Sequence, residues 1–168
     1  MITAPAPVTC DRSIRLADEM DLRRICEIER LSFETPWDDD KFRASLKDEF
    51  FVFDEGEVLG FLSCSCSEVA KTAVILKIAV HPDHRGRGIA TRLIRAVLAR
   101  LRELHMREVE LHVDIVKRGA IHLYEELGFK IRKVVAGDYE DQDAFYEMKL
   151  KLDGGDGAEG RLPEDRRA

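Results

Sequence analysis

The chain has 168 residues, of which 45% are hydrophobic and 36% are charged, so it suits one folded domain with its own core. Its formal net charge of −6 argues against nucleic acid as the main partner. No apolar run approaches the roughly 20 residues of a membrane-spanning helix. The four cysteines form neither a CxxC pair nor a zinc-like cluster with histidines. We therefore expect a cytoplasmic protein with reduced thiols, without a membrane partner and without a metal.

The composition changes near both ends of the chain. Residues 1–11 contain proline and alanine and carry no signal-peptide pattern. Residues 153–168 are rich in glycine and charge and poor in apolar side chains. We expect a flexible first segment, a disordered last segment, and one domain over residues 12–152.

The elements between these ends alternate in a way that predicts a sheet covered by helices. Runs of β-branched, aromatic or alternating residues predict strands at 13–16, 50–53, 58–67, 71–80, 107–114, 129–135 and 144–152. Apolar residues three and four positions apart predict helices at about 18–31, 37–46, 89–104 and 118–127. The order β-α-α-β-β-β-α-β-α-β-β is that of an α/β domain with helices on both faces of a mixed sheet.

The most informative stretch joins a strand that ends at Val80 to a helix that begins at Ile89. The first amides of a helix lack partners and carry partial positive charge. Gly86 and Gly88 let the backbone of the intervening turn approach a ligand closely. Positive side chains expected to add to this site are those of Arg85, Arg87 and Arg92. The turn is therefore a candidate phosphate site.

The sequence of this turn can be compared with two known phosphate-binding motifs. A P-loop needs Lys-Ser/Thr after its last glycine, where this chain has Ile89-Ala90, so that motif is excluded. A dinucleotide fingerprint needs a third small residue at Thr91 and should open its domain, so it fits poorly. A solvated basic turn between strand and helix remains the alternative that the residues leave open.

Two segments resemble a known family. Arg85-x-x-Gly88-x-Ala90 resembles the Gln/Arg-x-x-Gly-x-Gly/Ala loop of the GNAT superfamily of acyl-CoA-dependent N-acyltransferases. Residues 120–129 are similar to the Ala-x-x-Leu-Tyr-x-x-x-Gly-Phe segment of its RimI-like protein N-terminal acetyltransferases. The order of elements matches over roughly residues 12–152. The resemblance implies a mixed, mostly antiparallel, seven-stranded sheet.

The resemblance also implies acetyl-CoA as co-substrate. Amides of Ile78 and Val80 would hold its pantetheine arm, and the Val80 amide would polarise the thioester carbonyl. Loop amides at 85–90 would hold the pyrophosphate. Lys117 stands where relatives usually carry an asparagine that contacts CoA, and it could meet a phosphate instead. The full expected set is Ile78, Ala79, Val80, Arg85, Gly86, Arg87, Gly88, Ile89, Ala90, Thr91, Lys117 and Tyr124.

Attack of an amine on a thioester requires a base that keeps the amine neutral and an acid that protonates or hydrogen-bonds the departing thiolate. His112 occupies a strand position that carries glutamate in bacterial RimI-like enzymes and histidine in several archaeal and eukaryotic ones. Glu110 lies on the same strand face and is the competing base. Tyr124 occupies the family's position for the general acid. The alternatives are a structurally satisfied histidine and a packed helix tyrosine.

Residues expected near the acceptor lie in two loops. Phe33 and Trp37 would form one wall, although Trp37 is equally explained by packing between the first two helices. Glu34 could bind the incoming ammonium. Tyr139 remains from the family's Tyr-Tyr pair, whose first member is replaced by Asp138.

The resemblance implies acetyl transfer to the α-amino group of a protein or peptide N-terminus, with a ribosomal protein as the acceptor suggested by the RimI-like motif. Direct attack in a ternary complex is favoured because no cysteine lies in the matched motifs. The alternatives are a GNAT enzyme acting on a lysine side chain or a small amine, and a non-catalytic acyl-CoA-binding module. We expect a monomer or weak dimer.

Overall fold

A computed structural model describes residues 11–137 and 144–152. The strands are β1 (Ile14–Leu16), β2 (Glu49–Asp54), β3 (Val58–Ser67), β4 (Thr72–Val80), β5 (Glu108–Asp114), β6 (Lys130–Val135) and β7 (Phe145–Lys151). The helices are α1 (Leu22–Ser32), α2 (Asp39–Ser45), α3 (Ile89–Glu103) and α4 (Arg118–Glu126). Expectations for residues 1–10, for residues 153–168 and for Tyr139 lie outside the described residues.

All seven strands join one sheet in the order β1-β2-β3-β4-β5-β7-β6. Among the described strands, only β4 and β5 run parallel, and α3 provides the crossover that a parallel pair requires. Every other neighbouring pair is antiparallel. The predicted mixed, mostly antiparallel sheet is therefore confirmed.

The two faces of the sheet carry separate cores. Helices α1 and α2 cover one face with a cluster that includes Leu22, Ile25, Ile28, Phe42, Phe50 and Phe61. Helices α3 and α4 cover the other face with a cluster that includes Ile75, Leu93, Ile94, Val97, Leu101, Val109 and Leu111. These are the apolar stripes predicted from the helical and strand periods.

The start of α3 packs closely on the sheet at Gly60. A Cβ atom at this position would lie 3.1 Å from the carbonyl oxygen of Ala79 and 3.1 Å from Cγ2 of Ile89. A larger residue would therefore crowd this contact, and the glycine lets the first residue of α3 pack against β3 and β4.

Local signals fix the helix ends. Asp18 and Asp21 form a capping box around a 3₁₀ turn, Glu19–Asp21, that leads into α1. Asp38 accepts a hydrogen bond from the Lys41 amide and caps α2. Within the described ranges, no helix combines the length and the apolar character that crossing a bilayer requires.

Candidate active site

The sheet opens between β4 and β5. The two strands pair only over Thr72–Ile75 and Glu108–Leu111. The β3–β4 register skips Leu76, a bulge that redirects the rest of β4. Leu76, inside the predicted strand at 71–80, is 39% exposed just where the pairing with β5 has ended. Within the described sheet, the end of β4 therefore forms an unpaired edge next to a gap.

Backbone amides of β4 face this gap. The His81 amide donates to the Leu59 carbonyl at 2.8 Å, so it points towards β3. Amide directions alternate along an antiparallel strand, and the amides of Ile78 and Val80 therefore point to the opposite side. No strand among the described residues pairs with that side of β4 beyond Ile75.

A cavity of about 660 Å³ occupies the gap and brings most of the predicted site residues together. The predicted residues in its lining are Phe33, Ile78, Ala79, Val80, Arg85, Gly86, Gly88, Ile89, Ala90, Thr91, His112, Lys117 and Tyr124. Five others in the described ranges, Glu34, Trp37, Arg87, Arg92 and Glu110, are not part of the lining.

The loop before α3 has an open backbone. Gly86 and Gly88 both have a φ of 76°, a left-handed conformation in which other residues are strained. Among residues 11–137 and 144–152, nothing lies within 4 Å of a Cβ atom placed on either glycine, so conformation rather than crowding favours glycine there. Gly88 is the N-cap of α3 and provides no side-chain cap, which leaves the first helical amides accessible.

The arginines of this region are mostly engaged by the protein itself. Arg85 donates to the Val80 carbonyl at 3.0 Å and to Oγ of Ser32 at 3.1 Å. The Arg87 guanidinium binds Glu55 at 3.1 Å. These bonds tie the loop to β4, to α1 and to the β2–β3 turn.

Arg92 does not add its charge to the loop, contrary to the sequence-based expectation. Its guanidinium binds Asp11 at 2.6 Å and lies over the ring of Phe53. The uncapped amides at the start of α3, rather than Arg92, are therefore candidate anion donors. Asp11, expected in the flexible first segment, is held by this pair.

Tyr124 is positioned by the end of α4. The Phe129 amide donates to the Tyr124 carbonyl at 3.0 Å, and the Gly128 amide donates to the Glu125 carbonyl. With Gly128 at a φ of 97°, these bonds form a Schellman motif with glycine at the C′ position, just after the helix predicted at 118–127. The Tyr124 and Phe129 rings meet edge to face at 6.0 Å. Burial alone raises the pKa of Tyr124 to about 12, so its hydroxyl keeps its proton at neutral pH.

His112 approaches the gap from the other face of the sheet. Leu111 and Val113 are buried beneath α3 and α4, so the residue between them points towards the face of α1. Its Nε2 atom lies 2.8 Å from Oε1 of Glu110, and its ring lies 5.1 Å from that of Phe145. Strand alternation predicted that His112 and Glu110 share a face, but not that they touch.

A network of charges surrounds Glu110. Lys149 lies 3.3 Å from Glu110 and 3.2 Å from Glu108, and Lys133 lies 3.0 Å from Glu147. The hydrogen bond from Lys133 lowers the pKa of Glu147. The pKa of Lys149 is raised, mainly by its hydrogen bond to Glu108 and also by its bond to Glu110. The two lysines therefore offset the negative charges of Glu108, Glu110 and Glu147.

The cavity wall near Phe33 contains an ion pair that was not predicted from the sequence. Lys77 lines the cavity, and its Nζ atom lies 2.8 Å from the buried Glu29 and 3.9 Å from the centre of the Phe33 ring. The signal that could have found it is a single lysine in the otherwise apolar run of residues 75–80.

The other residues expected near the acceptor differ in placement. Trp37 packs on Phe42 at 5.4 Å, which supports its alternative role between α1 and α2. Glu34 is exposed away from the lining. The Lys117 ammonium lies 4.9 Å from the centre of the Phe33 ring, so it reaches across the gap to the end of α1.

Comparisons with known proteins agree with this geometry. The chain is 40% identical over 97 residues to an uncharacterised N-acetyltransferase of Methanocaldococcus jannaschii, a match that covers 54% of this chain and 43% of that protein. It is 31% identical over 154 residues to an N-alpha-acetyltransferase of Sulfurisphaera tokodaii, covering 83% and 92% of the two chains. The crystal structure of Ard1 from Thermoplasma volcanium superimposes with a TM-score of 0.76 at 28% identity, covering 82% and 95%.

The match to the Methanocaldococcus protein spans less than half of that protein's length. The model of the acetyltransferase (GNAT) family matches residues 22–129, which include the glycine loop, His112 and Tyr124. This match confirms the resemblance found in the two sequence motifs. The chain therefore belongs to the acetyltransferase (GNAT) family.

Proposed function

We propose that this protein transfers the acetyl group of acetyl-CoA to the α-amino group of a protein or peptide N-terminus. The observation that carries the proposal is that Tyr124 and His112 line one cavity from opposite faces of the opened sheet. A donor and an acceptor can then enter from the two faces and meet in the gap. Similarity over most of both chains to the Sulfurisphaera N-alpha-acetyltransferase supports an α-amine as acceptor.

Acetyl-CoA supplies a thioester whose carbonyl carbon an amine can attack. We assign its pantetheine arm to the amides of Ile78 and Val80, because their edge of β4 is unpaired. The Val80 amide would also polarise the thioester carbonyl. The accessible amides of the loop and of the first turn of α3 suit a pyrophosphate, since Gly86 and Gly88 leave open space on that side.

His112 is the proposed base. An α-amino group has an ordinary pKa of about 8, so an imidazole can accept its proton directly or through one water. His112 belongs to the cavity lining, and Glu110 does not. This difference supports the histidine over the carboxylate as the group that meets the amine.

Tyr124 is the proposed partner of the departing sulfur. With a pKa of about 12, its hydroxyl is a weaker acid than an ordinary thiol, whose pKa is about 8.5. Full proton transfer from this hydroxyl to a thiolate is therefore uphill. We assign Tyr124 the role of a hydrogen-bond donor that stabilises the thiolate.

The acceptor side is assigned to the face of α1. Phe33 lies in the cavity lining, and His112 points to the same face of the sheet. We propose that Phe33 contacts the first side chain of the acceptor. The role of Tyr139 in covering the acceptor stays a prediction from the sequence.

Mass spectrometry tests the function. The protein is incubated with acetyl-CoA and peptides that vary in the first residue and carry one internal lysine, and the acetylated nitrogen is located. Acetylation of the α-amine is the expected result. Acetylation of the lysine alone, or of small amines alone, would contradict it.

A matched variant tests the residue roles. The double variant His112→Gln and Tyr124→Phe should lose turnover, while calorimetry should still detect CoA binding by the loop and β4. Unchanged turnover in this variant would remove both roles, and loss of CoA binding would point to a structural defect instead.

A further inference from the structure

Glu110 lies behind the proposed base and holds one of its ring nitrogens. We propose that Glu110 is a positioning residue that keeps a hydrogen on Nε2 of His112, so that Nδ1 is the atom that accepts the proton of the acceptor amine. The proposal rests on the proposed function for the role of His112 as base. It assigns the tautomer of the ring and separates the roles of the two candidate bases.

The contact itself sets the tautomer. Nε2 of His112 lies 2.8 Å from Oε1 of Glu110. A carboxylate can only accept, so Nε2 must carry the hydrogen, and in the neutral ring Nδ1 then carries the lone pair. No hydrogen bond to Nδ1 is formed within residues 11–137 and 144–152. Nδ1 is therefore the ring nitrogen left to meet an amine or a bridging water.

The carboxylate is fixed by the neighbouring strand. Glu110 and Lys149 are directly opposed in the β5–β7 register, and Nζ of Lys149 lies 3.3 Å from Oε2 of Glu110. One carboxylate oxygen therefore binds the histidine and the other binds the lysine. This pairing keeps Glu110 beside the ring.

Glu147 is the other carboxylate near the ring, and it is less suited to this role. Its Oε2 atom lies 4.0 Å from Nε2 of His112, which is beyond hydrogen-bond distance. The same oxygen lies 3.0 Å from Nζ of Lys133. Glu147 adds negative charge near the ring, but it does not determine which nitrogen carries the hydrogen.

The proton balance follows from this arrangement. As the amine nitrogen bonds to the acetyl carbon, the carbon–sulfur bond breaks and the sulfur keeps its electron pair. The proton lost by nitrogen goes to Nδ1. The hydrogen on Nε2 stays in place and strengthens its bond to Glu110 as the ring becomes positive.

Nitrogen-15 NMR tests the tautomer without an acceptor. Two-bond proton–nitrogen spectra distinguish protonated from unprotonated ring nitrogens, and His112→Gln identifies the signals of His112. We expect an Nε2-protonated ring in the wild type and a mixture of tautomers in Glu110→Gln. A wild-type ring protonated on Nδ1, or an unchanged spectrum in Glu110→Gln, would overturn the proposal.

Glu108→Gln is the matched control. Glu108 lies on the same strand, binds the same lysine at 3.2 Å and is 27% exposed, against 25% for Glu110. It makes no contact with His112 among the described hydrogen bonds. The spectrum of this control should match that of the wild type. A tautomer change in it would mean that the charge network around Lys149, not Glu110, determines the tautomer of His112.

Kinetics separate positioning from direct base catalysis. A general base contributes about 10²- to 10⁴-fold, so His112→Gln should lower kcat by that factor. Glu110→Gln removes only the positioning of the base and should lower kcat less, by about tenfold. It should leave KM for acetyl-CoA unchanged. In the His112→Gln background, Glu110→Gln should cause no further loss. A larger loss than His112→Gln, persisting in that background, would make Glu110 the base. Absence of turnover on every acceptor would instead refute the proposed function, and the NMR result would still decide the tautomer.

Discussion

The Nζ atom of Lys77 lies 2.8 Å from Oε1 of Glu29, and this ion pair joins β4 to α1 at the wall of the cavity. Glu29 is fully buried, and its Oε2 atom has no hydrogen-bond partner among the described residues. The Trp37 amide also donates to Glu29. The positive charge of Lys77 therefore offsets the energetic cost of burying the Glu29 carboxylate.

Lys77→Met should destabilise the protein by about 3 kcal/mol, because it leaves a buried charge without its partner. Replacing Glu29 by Gln in the same variant should recover part of that loss. Urea unfolding at neutral pH measures both effects. Lys71→Met is the control, since the Lys71–Glu68 pair is exposed and should contribute less than about 1 kcal/mol.

Gly60→Ala should destabilise the domain through crowding at the start of α3. The added methyl would lie 3.1 Å from a backbone oxygen and from Ile89, so the helix or the strand must shift, at a cost of about 1 to 3 kcal/mol. Gly119→Ala in α4 is the control, because its Cβ meets nothing within 4 Å. Equal unfolding midpoints for the two variants would contradict this account.

Local signals predicted most elements to within one or two residues. Asp38 and Gly128 mark helix ends through their own capping geometry, and the alternation in β5 correctly separated His112 from Leu111 and Val113. Such patterns depend on residues close together in the chain, so they can be read without knowing the fold.

Non-local features could not be read in this way. The pairing of β4 with β5 ends at Ile75 because of a bulge defined by β3, and neither period nor composition reveals that register. The bond from Arg92 to Asp11 joins residues 81 positions apart. The strand, glycine turn and helix start were therefore predictable from local signals, whereas the bond that draws the Arg92 charge away from the turn was not.

Gly88→Ala should weaken CoA binding in addition to straining the fold. Its φ of 76° makes alanine unfavourable by about 1 to 2 kcal/mol, and the new methyl would enter the open space above the loop amides. We expect affinity for CoA to fall by about tenfold or more, equivalent to at least about 1.4 kcal/mol, by calorimetry. Gly56→Ala has comparable strain at a φ of 93° in a turn outside the cavity lining, and it should leave affinity unchanged. Equal affinity losses in both variants would contradict a direct role for the loop.

The buried hydroxyl of Tyr124 should make the folded protein sensitive to alkaline pH. Burial raises its pKa from the ordinary value of 10.0 to about 12. Below about pH 10 the tyrosine is protonated in both folded and unfolded states, so it adds no pH dependence. Between about pH 10 and pH 12 only the unfolded chain releases the proton, and the fold loses up to about 3 kcal/mol.

Tyr124→Phe removes this titration. The free energy of unfolding of the variant, relative to the wild type, should therefore rise as pH increases from about 9 towards 11, because only the wild type loses stability through this group. Guanidinium unfolding of both proteins across that range measures the difference, and ultraviolet difference titration identifies the late-ionising tyrosine. A constant difference across the range, with Tyr124 ionising near its ordinary value, would mean that solvent reaches the hydroxyl. Proton transfer from Tyr124 to a thiolate would then be only mildly uphill, which would weaken the argument for a purely hydrogen-bonding role.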